Sequence, residues 1–193
     1  MTETNTKRAQ DYIWEAMRKN RTLLFSSAVT GASVRDACDR LFALEADDPT
    51  KPITLVLNSP GGSVNDGYAL VDVMRFIKAP IRVVCTGLVA SMGISILIAA
   101  EKKTRVSLPT ARFMMHQPRF GGAVIGTASD LEITAREIMK MKDKSNQEVA
   151  DATGKPLDQV EKDTSRDLWL SAEEACEYGL IDRVIQSVNE LDE

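Results

Sequence analysis

Ser91 sits in the stretch Gly87-Leu88-Val89-Ala90-Ser91-Met92-Gly93-Ile94, a hydroxyl among small residues that opens one of the most apolar runs in the chain. A serine oxygen attacks a carbonyl at neutral pH only when a neighbouring base takes its proton. One histidine is available for that work, His116, placed just before Gln117 and Pro118. Ser91 and His116 therefore offer a nucleophile and a general base. Each also has a plainer reading: a small residue packing a helix, and a hydrogen-bonded histidine in a core. Metal binding by His116 has no support, since no second His or Cys stands nearby.

Two more elements belong to such chemistry. Attack on a carbonyl builds negative charge on its oxygen, and free backbone N–H groups stabilise that charge best. Ser59-Pro60-Gly61-Gly62 exposes backbone after an apolar strand, and Met92 lies in the first turn of the helix that Ser91 opens. The Gly-Gly segment also suits an ordinary turn, or an edge on which an extended peptide adds as a strand. An imidazole acting as base needs a carboxylate to orient it. With 28 acidic residues, composition cannot choose among them; Asp163 and Asp167 are candidates, and solvated helix-end charge is their alternative.

The elements that must position these residues are read from hydrophobic spacing. Lys7–Lys19 reads as an amphipathic helix with Tyr12, Ile13, Ala16 and Met17 on one face, and Thr22–Phe25 as a strand. Ser33–Ala46 is helical, Ile53–Leu57 is a buried strand, and Val64–Ile77 is a helix burying Tyr68, Val71 and Met74. Ile81–Cys85 is the next strand, and the Ser91 stretch leads from it into a helix. Strands at Arg105–Leu108 and Arg112–His116 follow. Alternation of this kind predicts an α/β fold with a largely parallel sheet, because parallel neighbours need a crossover.

The second half departs from alternation. After the Gly-rich segment Phe120–Gly126 a long helix is expected, capped by Ser129 and Glu132 and stopped at Gly154, with Leu131, Ala135, Ile138, Met139 and Met141 free to pack on a partner. Ser171 and Glu174 have capping-box spacing for a short helix ending at Gly179, and Leu180–Ile185 reads as a closing strand.

Composition narrows the class. The chain has 193 residues, 44% of them hydrophobic, and a net charge of −4 with acids and bases interspersed. That suffices for one core, and residues 1–193 read as a single domain without linker or repeat. No basic stripe suggests nucleic acid. The polar N-terminus lacks a signal-peptide core, and the run Gly87–Ala100 is shorter than the roughly 20 residues a membrane span needs. Cys38, Cys85 and Cys176 read as free thiols of a reducing compartment, so a soluble cytoplasmic protein is expected.

Four segments in order carry a resemblance. Ser59-Pro60-Gly61-Gly62-Ser63, Gly87 to Gly93, Arg112-Phe113-Met114-Met115-His116-Gln117-Pro118, and Asp163-Thr164-Ser165-Arg166-Asp167 with Leu170 to Asp182 resemble the successive signatures of ClpP, the serine peptidase of the Clp protease, over about residues 11 to 186. The resemblance implies a crotonase-like spiral of ββα units with a projecting handle of strand and helix at about 119–154. It implies Ser91 as nucleophile, His116 as general base, Asp167 as orienting acid, and the N–H groups of Gly62 and Met92 as the oxyanion hole. It implies a serine endopeptidase with no cofactor or metal, enclosed in two stacked heptameric rings or in mixed rings with a paralogue. Unfolded protein is its substrate, fed by an AAA+ unfoldase of the ClpX, ClpA or ClpC type.

Three positions depart from the family pattern: the axial segment 1–10 is short, Arg119–Gly126 is about two residues longer than is common, and Ser165 stands beside Arg166 where an acid is usual. Arg166 is expected to serve oligomerisation, and the departures resemble a second, divergent paralogue. Two other functions share the sequence features: a catalytically quiet subunit of mixed rings, and a crotonase-type acyl-CoA enzyme, which would not need Ser91, His116 and Asp167 together.

Overall fold

The protein is described here as a computed structural model covering residues 3–119, 121–123 and 125–192. Its elements run α1 (Glu3–Lys19), β1 (Thr22–Ser26), α2 (Gly31–Asp47), β2 (Ile53–Ser59), α3 (Val64–Phe76), β3 (Ile81–Ala90) and α4 (Met92–Ile98). Then come β4 (Arg105–Ser107), β5 (Arg112–Met115), α5 (Ala128–Thr153), α6 (Leu157–Thr164), β6 (Leu168–Leu170), α7 (Ala172–Tyr178) and β7 (Arg183–Val184). The alternation expected from sequence is present, and so is the parallel sheet. Strands lie in the order β1-β2-β3-β4-β7, each pair parallel.

β3 is longer than its sequence suggested. The spacing predicts a strand over Ile81–Cys85; β3 runs on to Ala90, with a bulge at Gly87. Register with β2 jumps from Leu57↔Cys85 to Ser59↔Val89, and Gly87 takes φ 59° there. Asn58 holds the bulge, its Oδ1 accepting from Leu88 N at 3.1 Å. Before the bulge β3 pairs with β4; beyond it, Leu88–Ala90 pair with Arg112–Met114 of β5. The antiparallel strand β6 then adds to β5.

Helix ends follow their chemistry. Thr30 and Ser33 form a capping box for α2, and Ser171 and Glu174 form the one expected for α7. For α5 the box is Thr127 and Asp130, not Ser129 and Glu132: the helix begins two residues earlier, and Asp130 Oδ2 accepts from Thr127 N at 3.1 Å. Gly154 and Gly179, at φ 77° and 95°, end α5 and α7. α6 and β6 were not foreseen. Leu180–Ile185, expected as one strand, contributes only the two residues of β7.

Burial corrects the expected face of α1 and leaves that of α5 without a partner in the single chain. On α1, Tyr12 and Ile13 are exposed while Trp14 packs on the core and carries the Arg40 guanidinium 4.6 Å above its ring. On α5 only Asn146, Val149, Ala150 and Thr153 are buried, leaving Leu131, Ile133 and Met139 to solvent in the single chain. Among the described residues between Gln117 and Thr127 none is in a strand, so the strand part of the expected handle is not seen; Phe120 and Val124 lie outside the described residues. No described helix is long and apolar enough to cross a membrane.

α4 is the centre of the core: all seven of its residues are buried. Arg105 caps the carbonyls at the C-terminal end of α4. This arginine, 5% exposed, donates from Nε to Ala100 O at 2.8 Å and from Nη2 to Ile98 O at 3.1 Å. At the other end Ser91 has φ 55° and ψ −122°, one of two non-glycine residues with positive φ among those described. Such a residue stores about 1–3 kcal/mol of strain.

Two stability outcomes follow. Arg105→Met leaves the α4 carbonyls unpaired and is expected to cost about 2 kcal/mol or more, a fall in melting temperature of about 5 °C by differential scanning calorimetry. Ser91→Gly and Ser91→Ala lose the same hydroxyl, but only glycine relieves the positive φ, so Ser91→Gly should be the more stable by about 1 kcal/mol in denaturant titration.

Candidate active site

Strand pairing brings the chemistry-bearing residues together. Ala90 pairs with Met114 and Ser91 N donates to Met114 O at 2.9 Å, which fixes the β3–α4 elbow against β5. His116 follows β5 directly. Met115 pairs antiparallel with Leu168, so the next residue outward on each strand, His116 and Asp167, must face each other. The distances agree: His116 Nε2 is 2.9 Å from Ser91 Oγ, and His116 Nδ1 is 3.2 Å from Asp167 Oδ1. The His116 side chain is 10% exposed and that of Asp167 46%.

Asp163, the other acid considered, is committed elsewhere. It accepts from Tyr178 Oη at 2.8 Å and from Gln159 Nε2 at 2.7 Å. The segment that presents Asp167 is pinned from two sides: Gln117 N donates to Thr164 O at 2.9 Å, and Gln117 Nε2 to Ser165 O at 3.3 Å. Arg166 is exposed.

The Ser59–Gly62 turn presses on the elbow. Gly61 has φ 85°, and a Cβ there would lie 2.7 Å from Ala90 O and 2.9 Å from Met92 N, so only glycine permits the approach. Val29 clamps the turn, its N donating to Gly61 O and its O accepting from Ser63 N, each at 2.9 Å. Among the described residues neither Gly62 N nor Met92 N donates a hydrogen bond. Both flank Ser91. The Met92 side chain is buried and lies where a Cβ on Gly67 would be, so Met92 offers the site its backbone.

At Gly93 another backbone comes close: a Cβ there would meet Ser59 O at 3.2 Å. Beside Ser91 and His116 opens a small cavity of about 30 Å³, bounded at its far side by α5. Sequence reasoning missed that lining; no spacing signal ties Asn146 or Thr164 to Ser91, because the contact between α4 and α5 is made only in the fold. Among the described residues no cluster of three His, Cys, Asp or Glu side chains could hold a metal ion.

The arrangement can carry out nucleophilic attack on a carbonyl: a serine hydrogen-bonded to an imidazole, a carboxylate on the far ring nitrogen, and unpaired N–H groups alongside. The Clp protease family model matches residues 4–188. The "ATP-dependent Clp protease proteolytic subunit 3" of Parasynechococcus marenigrum (strain WH8102) is 45% identical over 178 residues, 92% of this chain and 88% of that protein. The "ATP-dependent Clp protease proteolytic subunit 1" of Chlamydia pneumoniae is 41% identical over 191 residues, 99% of this chain and 100% of that one. Among solved structures, a ClpP1 mutant from Listeria monocytogenes superposes with a TM-score of 0.85 at 39% identity, covering 93% of this chain and 99% of that chain. With the family model spanning nearly the whole chain, these relatives at full length and the same α/β fold in a solved neighbour, the chain belongs to the Clp protease family.

Proposed function

We propose that the chain is a proteolytic subunit of an ATP-dependent Clp protease, a serine endopeptidase in which Ser91, His116 and Asp167 form the triad. The observation that carries this reading is the 2.9 Å contact between His116 Nε2 and Ser91 Oγ, with Asp167 behind the ring. His116 takes the Ser91 proton as Oγ bonds to the peptide carbonyl carbon. Gly62 N–H and Met92 N–H stabilise the oxyanion, and His116 gives its proton to the leaving amine. Water, activated by the same imidazole, then releases the acyl group from Ser91.

Family membership extends the proposal to assembly. The chain forms heptameric rings, stacked in pairs or mixed with a paralogue, and receives unfolded protein from an AAA+ unfoldase. The exposed Leu131, Ile133 and Met139 on α5 support a role for residues of about 119–154 as a handle between rings. Enclosure has a physical rationale: a triad open to solvent would cut any exposed loop.

Three outcomes test the reading. Ser91→Ala should abolish peptide hydrolysis and fluorophosphonate labelling while particle size stays the same; full activity in that variant would overturn the mechanism. Asp167→Asn should lower kcat by about 10³–10⁴-fold, because the imidazole loses the partner that fixes its tautomer. Arg166→Ala should shift the particle toward single rings on sizing, and an unchanged particle would remove Arg166 from assembly. Turnover of a CoA thioester that survives Ser91→Ala would favour a crotonase-type enzyme instead.

A further inference from the structure

Asp167 is the most exposed of the residues that meet at Ser91, and among the described residues His116 is the one hydrogen-bond partner of its carboxylate. The place of that carboxylate is therefore set by the chain on either side of it. Downstream, β6 pairs with β5, and Ser171, which follows β6, caps α7. Upstream stands the last turn of α6, which carries Asp163. One hydrogen bond joins the two sides: Tyr178 Oη, from the last residue of α7, donates to Asp163 Oδ2 at 2.8 Å. Asp167 thus lies inside a loop, 163–178, whose ends that bond ties together.

The phenol is itself firmly placed. A Cβ on Gly179 would lie 3.0 Å from Thr153 O, so the end of α7 closes tightly on the end of α5. Lys155, between α5 and α6, sets its Nζ 4.5 Å from the centroid of the Tyr178 ring, and the ring packs against the core. Tyr178 is therefore held by the chain that enters α6, while its hydroxyl reaches the turn where the chain leaves α6. Burial and the bond to Asp163 push the phenol pKa well above its ordinary value, which keeps it a donor at neutral pH. A phenol donating to a carboxylate makes a charge-assisted bond. The other contact of Asp163, from Gln159 Nε2 at 2.7 Å, lies within α6 and cannot fix that helix against a neighbour. Gln117 and Asn146 grip Thr164 and Ser165 on the side of β5 and α5; Tyr178 supplies the grip on the side of α7.

We propose that Tyr178 is a positioning residue for the reaction: its hydroxyl, through Asp163, fixes the end of α6 and with it the approach of the Asp167 carboxylate to His116 Nδ1. The inference rests on the peptidase reading. Thr164, Ser165 and Arg166 are all that separates Asp163 from Asp167, so a displacement at Asp163 is passed along the chain with little slack to absorb it. The 3.2 Å between His116 Nδ1 and Asp167 Oδ1 is the distance that depends on it. A residue that orients the base through its acid touches no substrate and governs kcat rather than substrate binding.

The test uses the assembled full-length protein and one fluorogenic peptide. Tyr178→Phe keeps the ring and removes the hydroxyl, and should lower kcat about tenfold with KM unchanged, the loss expected of one hydrogen bond to a charged group. In the Asp167→Asn background the same substitution should cost nothing further, because the group it positions is already gone; a general structural role would cost the same factor in both backgrounds. Asp163→Asn keeps an acceptor for the phenol and should lose less than Asp163→Leu, which should match Tyr178→Phe. An unchanged kcat in Tyr178→Phe overturns the proposal, as does a loss that persists at full size beside Asp167→Asn or a change confined to KM. Particle sizing and thermal melting accompany each variant; if Tyr178→Phe fails to assemble, the two Asp163 variants read the same dependence, and equal losses in both overturn it. Fluorophosphonate labelling of Ser91 separates the two readings: a labelled wild-type protein whose kcat ignores Tyr178 removes this inference alone, and an unlabelled one removes the peptidase with it.

Discussion

The site depends on one strand changing partners. Up to Cys85, β3 belongs to the main sheet between β2 and β4; after the Gly87 bulge it belongs to β5. Without that change the chain would leave β3 on the line of the main sheet and Ser91 would not reach β5. With it, Ser91 is delivered where His116 emerges, and Ser91 N is tied to Met114 O. The bulge is stabilised locally, by glycine at positive φ and by Asn58 on the Leu88 amide, so the geometry does not rely on long flexible loops. Catalytic groups mounted on strand ends are held more narrowly than groups on loops.

The strain at Ser91 has the same origin. A β-strand that must hand over at once to a buried helix has no room for a relaxed turn, and the residue between them takes φ 55°. Three contacts hold it there: the β5 pairing on one side, the Gly61 turn packed on Ala90 and Met92, and Arg105 fixing the far end of α4. Burying a guanidinium beneath a helix costs desolvation, which its bonds to Ile98 O and Ala100 O offset. The turn that presses on Ser91 through Gly61 also carries Gly62, so one packing requirement positions both residues of the proposed mechanism.

How much of this could be read from residues alone varies with the range of the interaction. The α/β alternation was legible because β2, α2 and α3 bury residues at clean intervals, and Ser91 and His116 were legible by type. Asp167 was not separable from Asp163 by chemistry. What separates them is β6, a three-residue strand with only Leu170 buried, whose pairing with β5 has no local signal. The resemblance to a family chose Asp167; the β5–β6 register supplies the physical reason. The extension of β3 past Cys85 was not legible, since glycine inside a strand marks either a stop or a bulge, and only the distant β5 decides which. The α5 cap moved by two residues because Thr127 and Asp130 form the same box as Ser129 and Glu132, and both spacings look alike in a sequence.

Ser91, His116 and Asp167 are not held with equal firmness, and for the proposed triad the order matters chemically. Ser91 and His116 rest on β3 and β5, whose inner residues Val89 and Phe113 are fully buried. Asp167 stands on the short β6 with nearly half its side chain in solvent, and its segment is secured by hydrogen bonds from Gln117 and by Thr164, whose hydroxyl meets Asn146 on α5. Local opening begins where buried contacts are fewest, so the acid is the member that loosens first. On the proposed mechanism, losing it would leave Ser91 and His116 in contact but remove control of the imidazole tautomer. Because the Thr164 hydroxyl donates to Asn146 Oδ1 at 2.9 Å, the segment that presents Asp167 is tied to α5, the helix that packs on α4 and so stands behind Ser91.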